Sequence, residues 1–189
     1  PSASSAASDV YKRQEIKRLT KDTSTTELQQ IIRDLNDDQT VDGILLQHPV
    51  PKQIDEIKCF NTICIEKDVD GVTTEGFGNM AMGLKAFGSC TPLGIMRILD
   101  HYKINLEGMN ALVIGRSQIL GKPMAAMLLN ANATVTIAHS KTKNLKNSLK
   151  EFDLVVVAVG VPKFVSANDL KEGSVLVCLL YTSPSPRDG

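Results

Sequence analysis

The sequence predicts an α/β fold in which helices cover both faces of a parallel sheet. From Ala111 onward, short apolar runs alternate with helical patterns in the order strand, helix, strand, helix, strand. Runs such as LVVVAVG are apolar throughout, which is typical of strands buried on both faces. A chain of 189 residues that is 42% apolar is also long enough for one large or two small cored domains.

The first half of the chain contains two predicted helices and a predicted strand. Ser24 and Glu27 can form a capping box, and apolar residues then recur at helical spacing, which predicts a helix over 25–36. The run DGILLQ predicts a buried strand over 42–47. Thr91 followed by Pro92 indicates an N-cap and a first helical residue, with an apolar face that continues to about residue 103.

The second half supplies the parallel sheet. The predicted elements, in order, are a strand at 111–115, a helix at 119–130, a strand at 134–139, a helix at 144–152, a strand at 154–160, a helical turn at 166–170 and a strand at 174–178.

Charge and cysteine content argue against several classes of protein. The 21 basic and 21 acidic side chains give no net charge, so nucleic acid and anionic membranes are not expected partners. The longest apolar runs fall far short of the roughly 20 residues of a spanning helix. The four cysteines match neither zinc-binding pairs nor a C-x-x-C redox site, so reduced intracellular thiols and no metal centre are expected.

The stretch VIGRSQILGKP, residues 113–123, predicts a phosphate-binding turn. Gly115 ends a strand and a helix follows, so the backbone N–H groups of the loop and the helix dipole face a common anion. A serine, Ser117, stands where the second glycine of G-x-G-x-x-G is usual, and it offers a hydroxyl to phosphate. Arg116 adds a fixed positive charge.

The end of the next strand favours NADP over NAD. NAD-selecting sites carry an Asp or Glu there for the ribose 2′-hydroxyl, whereas this chain has His139, Ser140 and Lys141. Hydrogen-bond donors and cations in place of an acid suit a 2′-phosphate, with Arg116 expected nearby.

Two further stretches carry polar groups where strand ends should gather. Gln47 follows the predicted strand and precedes a proline, which suits either ligand binding or a structural amide. In KDVDG, Asp68 and Asp70 point to opposite sides of an extended chain, so only one carboxylate can face a cleft. A turn-forming Asp-Gly pair is the alternative interpretation.

Four segments, in this order and at this spacing, give the sequence a specific resemblance. They are TTELQQIIRDLNDDQTVDGILLQHPVP, KDVDG, CTPLGIMRIL and VIGRSQILGKPMAAMLLNANATVTIAHSKT. Together they resemble the bifunctional methylenetetrahydrofolate dehydrogenase/methenyltetrahydrofolate cyclohydrolase family from about Ile16 to Val177. The resemblance implies a folate-catalytic domain, here 15–72, a Rossmann-type NADP-binding domain, here 73–177, an active cleft between them and a homodimer.

The resemblance also implies roles for individual residues. Gln47 matches the active-site glutamine that hydrogen-bonds a catalytic lysine, and Asp70 matches the aspartate that holds the pterin ring; both are therefore candidate catalytic residues. Leu46 and His48 would flank the folate, although the family more often has leucine at the second of these positions. In the cofactor loop the matching residues are Gly115, Arg116 and Ser117, with Ser140 near the 2′-phosphate. The implied reactions are NADP-dependent oxidation of 5,10-methylenetetrahydrofolate and hydrolysis of the methenyl product to 10-formyltetrahydrofolate.

Both ends depart from the family pattern. The family carries a Tyr-x-x-x-Lys motif before the residue that matches Ile16, but Tyr11 is followed four residues later by Glu15. Residues 1–14 and 178–189 have the composition of translated adapter sequence, so both are expected to be non-native and the chain itself inactive. A cytoplasmic location is expected, with an organellar form left open. Two alternatives remain, a shikimate-type NADP dehydrogenase and a non-catalytic NADP-binding or dimerisation module.

Overall fold

The computed structural model describes residues 13–161 and 164–179. Tyr11, Lys12 and most of the two stretches expected to be non-native lie outside these described residues.

The second half of the chain folds as a parallel sheet of four strands, which confirms the predicted α/β class. The strand order is β2-β1-β3-β4, so the first strand of the sheet lies at its centre beside the third. Val113 and Val156, which pair across these central strands, have no exposed surface. The strands are β1 (Asn110–Ile114), β2 (Thr134–Ala138), β3 (Leu154–Val157) and β4 (Val175–Cys178).

Helices pack on both faces of this sheet, as continuous apolar strands require. One face meets Ile95, Leu99, Met124 and Leu128, while the other meets Leu149. The α-helices of the described residues are α1 (Thr25–Asp37), α2 (Glu56–Phe60), α3 (Thr74–Ala81), α4 (Cys90–His101), α5 (Gly121–Asn130) and α6 (Leu145–Ser148); short 3₁₀ turns cover Ile65–Lys67, Leu149–Glu151 and Ala167–Asp169. None of these helices has both the length and the apolar character needed to span a bilayer.

The first half forms its own core beneath α1. The predicted capping box is confirmed, since the Ser24 amide donates to Glu27 at 2.7 Å and the Glu27 amide donates back to the Ser24 hydroxyl at 3.3 Å. The buried face of α1 then packs on the segments that follow. The buried members of this cluster are Leu28, Ile32, Ile44, Ile54, Cys59 and Ile63.

The prediction of a strand over 42–47 is wrong. Only Ile44 pairs, through a single parallel bridge to Asp68. Within the described residues no second strand lies alongside to extend that bridge into a ladder, so an apolar segment with strand-like composition stays extended but unpaired.

The predicted start of the helix at Thr91 is also wrong. The helix α4 begins at Cys90 with Ser89 at its N-cap, which places Thr91 and Pro92 inside its first turn. Proline is tolerated there because the first N–H groups of a helix have no acceptor within the helix. The Ser89 hydroxyl does not cap the helix and instead donates to the Gly71 carbonyl at 3.0 Å.

Candidate active site

The phosphate turn begins with a glycine that no other residue could replace without strain. Gly115 is buried and has φ +129°, and a Cβ atom there would lie 2.7 Å from the Ala158 carbonyl oxygen. Its amide donates to the Ala138 carbonyl at 2.8 Å, which fixes the turn level with the end of β2. The backbone therefore turns sharply at the carboxyl edge of the sheet, where α/β proteins bind ligands.

A second glycine lets the following helix approach this turn. Gly121 is the first residue of α5, and a Cβ atom there would lie 2.7 Å from the Arg116 nitrogen. Close contact between the start of the helix and the end of the strand is the usual role of the last glycine in a dinucleotide-binding turn.

The loop between the two glycines presents donors to an anion. The amides of residues 116–120 have no acceptor within the described residues. The Ser117 hydroxyl oxygen accepts from the Gly121 amide at 3.2 Å, so its own proton remains free to donate to a phosphate oxygen. These donors lie at the N-terminus of the 10-residue α5, where the helix dipole favours negative charge, so the loop fits a diphosphate.

Arg116 and Ser140 lie at the same edge of the sheet. Arg116 follows Gly115 directly, and Ser140 comes two residues after Ala138, whose carbonyl accepts from Gly115. Both side chains are exposed, and no acidic group of the described residues forms an ion pair with Arg116. An exposed guanidinium and a serine hydroxyl at one edge of a sheet can both bind a phosphate ester.

The two acids of KDVDG have separate environments. Asp68 is 1% exposed, and its two carboxylate oxygens accept from the amides of Val72 at 3.0 Å and Thr73 at 2.9 Å. Asp70 is half-buried in the turn that follows. The two carboxylates therefore differ in burial, and Asp70 is the more exposed of the two.

The turn that carries Asp70 is pressed against the start of α4. Gly71 has φ +63°, and a Cβ atom there would lie 2.6 Å from the Ser89 nitrogen. Next along the helix, the Cys90 thiol lies 3.6 Å from the Val69 carbonyl and donates to it. Partial desolvation, then hydrogen bonding to Asp70 and the charges of Asp70 and Asp68, raise the pKa of the Cys90 thiol to about 11. The thiol is therefore neutral at physiological pH.

The other predicted folate residues come from the segment after Ile44. Because Ile44 pairs in parallel with Asp68, the residues that follow each of them, Gln47 and Asp70, emerge at the same end of the paired segments. The exposed Gln47 amide donates to the His48 carbonyl at 3.1 Å. Leu46 packs on the first core.

His48 has a charged partner in α2. Its Nδ1 atom lies 2.6 Å from the Glu56 carboxylate, which also accepts from the Val50 amide at 3.3 Å. Glu56 therefore fixes both the His48 ring and the backbone just beyond it.

A pocket of about 250 Å³ opens between the two halves of the chain. Its apolar floor includes Phe60 and Phe77, and the phosphate turn contributes Gln118 and Lys122 to its rim. Of the predicted site residues none lines this pocket, but Gly71 and Gln118 do, and these directly follow Asp70 and Ser117. The Asp70 turn and the phosphate turn are therefore neighbours across one cavity.

Comparison with known families gives this arrangement an identity. Residues 2–70 match the catalytic domain of tetrahydrofolate dehydrogenase/cyclohydrolase, and residues 89–180 match the NAD(P)-binding domain of the same family. The chain belongs to the tetrahydrofolate dehydrogenase/cyclohydrolase family. This confirms the resemblance found in the sequence, and it disfavours the shikimate-type alternative, because both halves match one folate family.

Individual relatives agree with this family assignment. The bifunctional protein FolD of Alcanivorax borkumensis is 58% identical over 159 residues, which are 84% of this chain and 57% of the relative. The crystal structure of the bifunctional FolD dehydrogenase/cyclohydrolase of Campylobacter jejuni is 42% identical with a TM-score of 0.81, over 84% of this chain and 56% of that one. The Trypanosoma brucei FolD, complexed with NADP cofactor and inhibitor, is 28% identical with a TM-score of 0.84, over 92% of this chain and 60% of that one. The chain thus spans somewhat more than half the length of the relatives it matches.

Two residues next to the candidate site have contacts that the sequence analysis does not predict. Cys90 lies at the start of α4 and contacts the Asp70 turn, and its position directly before Thr91 is the sequence signal for this placement. Lys67 belongs to KDVDG, and its contacts with the end of α1 depend on a turn that the sequence pattern does not reveal.

Proposed function

We propose that the whole protein of which this chain forms part oxidises 5,10-methylenetetrahydrofolate with NADP and hydrolyses the methenyl product to 10-formyltetrahydrofolate. The observation that carries the proposal is that the Asp70 turn, which is pressed against the start of α4, shares a cavity with the phosphate turn. Hydride transfer requires the folate and the nicotinamide to meet at such a junction.

Residues of the first half would bind and orient the folate. Asp70 would accept hydrogen bonds from the pterin ring, and Gln47, at the same end of the paired segments, would hold the catalytic lysine of the family motif. Leu46 and His48 would flank the ring. The hydrolytic step needs a proton carrier with a pKa near neutrality, and Gln47 would position that carrier.

Residues of the phosphate turn would bind the cofactor. NADP supplies the hydride acceptor when bound. The free amides after Gly115 and the Ser117 hydroxyl would hold the diphosphate, while Arg116 and Ser140 would bind the 2′-phosphate. The missing acid after β2 and the NADP complex of the Trypanosoma brucei relative support NADP over NAD.

The proposal extends to domain limits, assembly and location. We assign 15–72 to the folate-catalytic domain and 73–177 to the cofactor domain. A homodimer follows from the family resemblance. The four cysteines are all free, which suits a reducing compartment such as the cytoplasm.

The test is a chimera in which the segments that the FolD relative of Alcanivorax borkumensis has beyond the matched region are joined to residues 15–177. We expect the chimera to reduce NADP with methylenetetrahydrofolate and to hydrolyse the methenyl compound. A folded chimera that binds NADP but turns over neither folate would refute the enzymatic proposal and favour a non-catalytic cofactor-binding module.

A further inference from the structure

Lys67 makes an unusual set of contacts with the end of α1. Its Nζ atom donates to three backbone carbonyls, those of Leu35 at 3.0 Å, Asn36 at 2.6 Å and Asp38 at 2.8 Å. An ammonium group has three N–H donors, so every proton of this one has an acceptor. The last carbonyls of a helix lack partners inside the helix and carry its negative dipole end, and α1 has no basic residue in its own last turn.

The backbone of Lys67 is joined to the segment that leads to Gln47. Its carbonyl accepts from the Ile44 amide at 2.8 Å and from the Val69 amide at 2.9 Å. The next residue, Asp68, forms the bridge to Ile44. Lys67 therefore fixes three parts of the first half together, namely the end of α1, the extended segment before Gln47 and the start of the Asp70 turn.

Asp68 continues this arrangement on the far side of the turn. Its carboxylate accepts from the amides of Val72 and Thr73, and the Thr73 hydroxyl in turn caps α3 by accepting from the Gly76 amide at 2.9 Å. The Asp70 turn is thus fixed at both ends. The Lys67 side chain ties its beginning to the end of α1, and the Asp68 carboxylate ties its other end to the start of α3. Within the described residues, neither side chain reaches the pocket between the two halves of the chain.

We propose that Lys67 is a positioning residue for the folate site. Because the Lys67 ammonium is bonded to carbonyls at the C-terminal end of α1, it holds the Asp70 turn at the same end of the paired segments as Gln47. This inference rests on the proposed function for the role of Asp70. The geometric part, that Lys67 fixes where the Asp70 carboxylate lies, can be tested without folate.

Cys90 reports the position of the Asp70 carboxylate. Its pKa is raised to about 11, first by desolvation and then by hydrogen bonding to Asp70 and by the charges of Asp70 and Asp68, so its alkylation is slow at neutral pH. Losing a neighbouring carboxylate lowers a thiol pKa by about one, which speeds alkylation roughly threefold to tenfold. The rate at Cys90 is measured with iodoacetamide and peptide mass spectrometry.

The experiment compares Lys67→Met with Lys58→Met in the 189-residue chain. Lys58 is a matched control, since its exposed ammonium loses only an ion pair to Asp55. We expect Lys67→Met to speed Cys90 alkylation threefold or more and Lys58→Met to leave it unchanged. The sign is decisive because deleting a positive charge by itself raises a thiol pKa and slows alkylation, whereas displacing Asp70 speeds it.

A double-mutant cycle shows whether the effect passes through Asp70. Asp70→Asn alone should speed Cys90 alkylation, and adding Lys67→Met to it should change the rate by less than twofold. An unchanged or slower rate in Lys67→Met, or an equal acceleration in both backgrounds, overturns the proposal. Cys59, with no exposed surface, must stay unreactive in each variant as evidence of folding; if Lys67→Met exposes it, Lys67→Gln replaces that variant throughout the cycle.

The catalytic consequence is measured separately in the active chimera. Lys67→Met should raise KM for the folate at least fivefold and leave KM for NADP within twofold, because the phosphate turn lies in the other half. If Lys67→Met does not speed Cys90 alkylation, the positioning role is refuted. An inactive parent chimera instead refutes the proposed function and does not affect the alkylation result.

Discussion

The residue scale shows how two neighbouring acids take different roles. Asp68 is buried and satisfies two backbone amides, while Asp70 is half-buried beside the Cys90 thiol. A carboxylate can accept at both oxygens, so the buried position suits an acid as a structural acceptor. The second acid is then free to bind a ligand.

This difference predicts that the same substitution lowers stability at Asp68 and folate activity at Asp70. Asp68→Asn replaces one accepting oxygen by an NH₂ group that faces a backbone N–H, so we expect it to lower the free energy of unfolding by about 1–3 kcal/mol in urea titrations. Asp70→Asn should leave the free energy of unfolding within about 0.5 kcal/mol, as for a surface substitution. In the active chimera it should reduce both folate activities by about 10- to 150-fold, the loss for a hydrogen bond to a charged group. Normal folate kinetics in folded Asp70→Asn would show that Asp70 only forms a turn.

Arg116 is the residue on which cofactor choice is expected to depend. Its guanidinium is exposed at the sheet edge, and the strand end opposite carries Ser140 in place of an acid. Arg116→Ala should weaken NADP binding by about 1.5–3 kcal/mol, through loss of charge-assisted hydrogen bonds, and change NAD binding little. Calorimetric titration of each cofactor measures both affinities. Equal losses for NADP and NAD would exclude contact with the 2′-phosphate.

At the scale of elements, the sequence is most informative where local chemistry decides the structure. The α1 helix could be predicted because its capping box and its apolar face lie within one short segment, and the four strands of the sheet could be predicted because each is a short, largely apolar or β-branched run between helical patterns. The segment 42–47 has the same apolar character, yet it makes only the Ile44 bridge. Strand pairing depends on a distant partner, which composition does not reveal.

In the candidate site, too, local features could be predicted from the sequence and long-range contacts could not. The phosphate turn could be located from the spacing of Gly115 and Gly121, since both glycines answer a local steric need. The Lys67 contacts join residues about thirty positions apart in sequence and use backbone carbonyls, which have no sequence signature. The raised pKa of Cys90 likewise comes from partial burial in the folded chain and from acids about twenty positions earlier.

The junction between β1 and α5 gives a prediction for a single methyl group. A Cβ atom at Gly121 would lie 2.7 Å from the Arg116 nitrogen, so Gly121→Ala should shift α5 away from the sheet and lower the free energy of unfolding by about 1–3 kcal/mol. Gly94, inside α4, has no atom within 4 Å of its Cβ position, so Gly94→Ala should raise stability by about 0.5–1 kcal/mol through helix propensity. Urea titration compares the two, and equal effects would show that close packing at Gly121 is unimportant.

At the scale of the whole molecule, specific contacts join the Asp70 turn to the start of the cofactor half. Gly71 is pressed against Ser89, and the Ser89 hydroxyl donates to the Gly71 carbonyl at 3.0 Å. The candidate folate residues and the phosphate turn depend on these contacts for their relative position. In the proposed function, folate and cofactor can meet only if both halves are in place.

The last prediction concerns activity of the 189-residue chain itself. Its matched region covers 57% of the Alcanivorax borkumensis relative, and Glu15 rather than a lysine follows Tyr11 by four residues. We expect the purified chain to bind NADP. We expect it to run the hydrolytic reaction about 10²- to 10⁴-fold more slowly than the chimera that carries the additional segments of the relative, because this is the usual cost of losing a general acid or base. Parallel assays of both proteins at equal concentration, with NADP binding as the control for folding, make the comparison. Comparable rates would show that a proton carrier exists within the chain, and His48, held at 2.6 Å by Glu56, would be the first residue to replace.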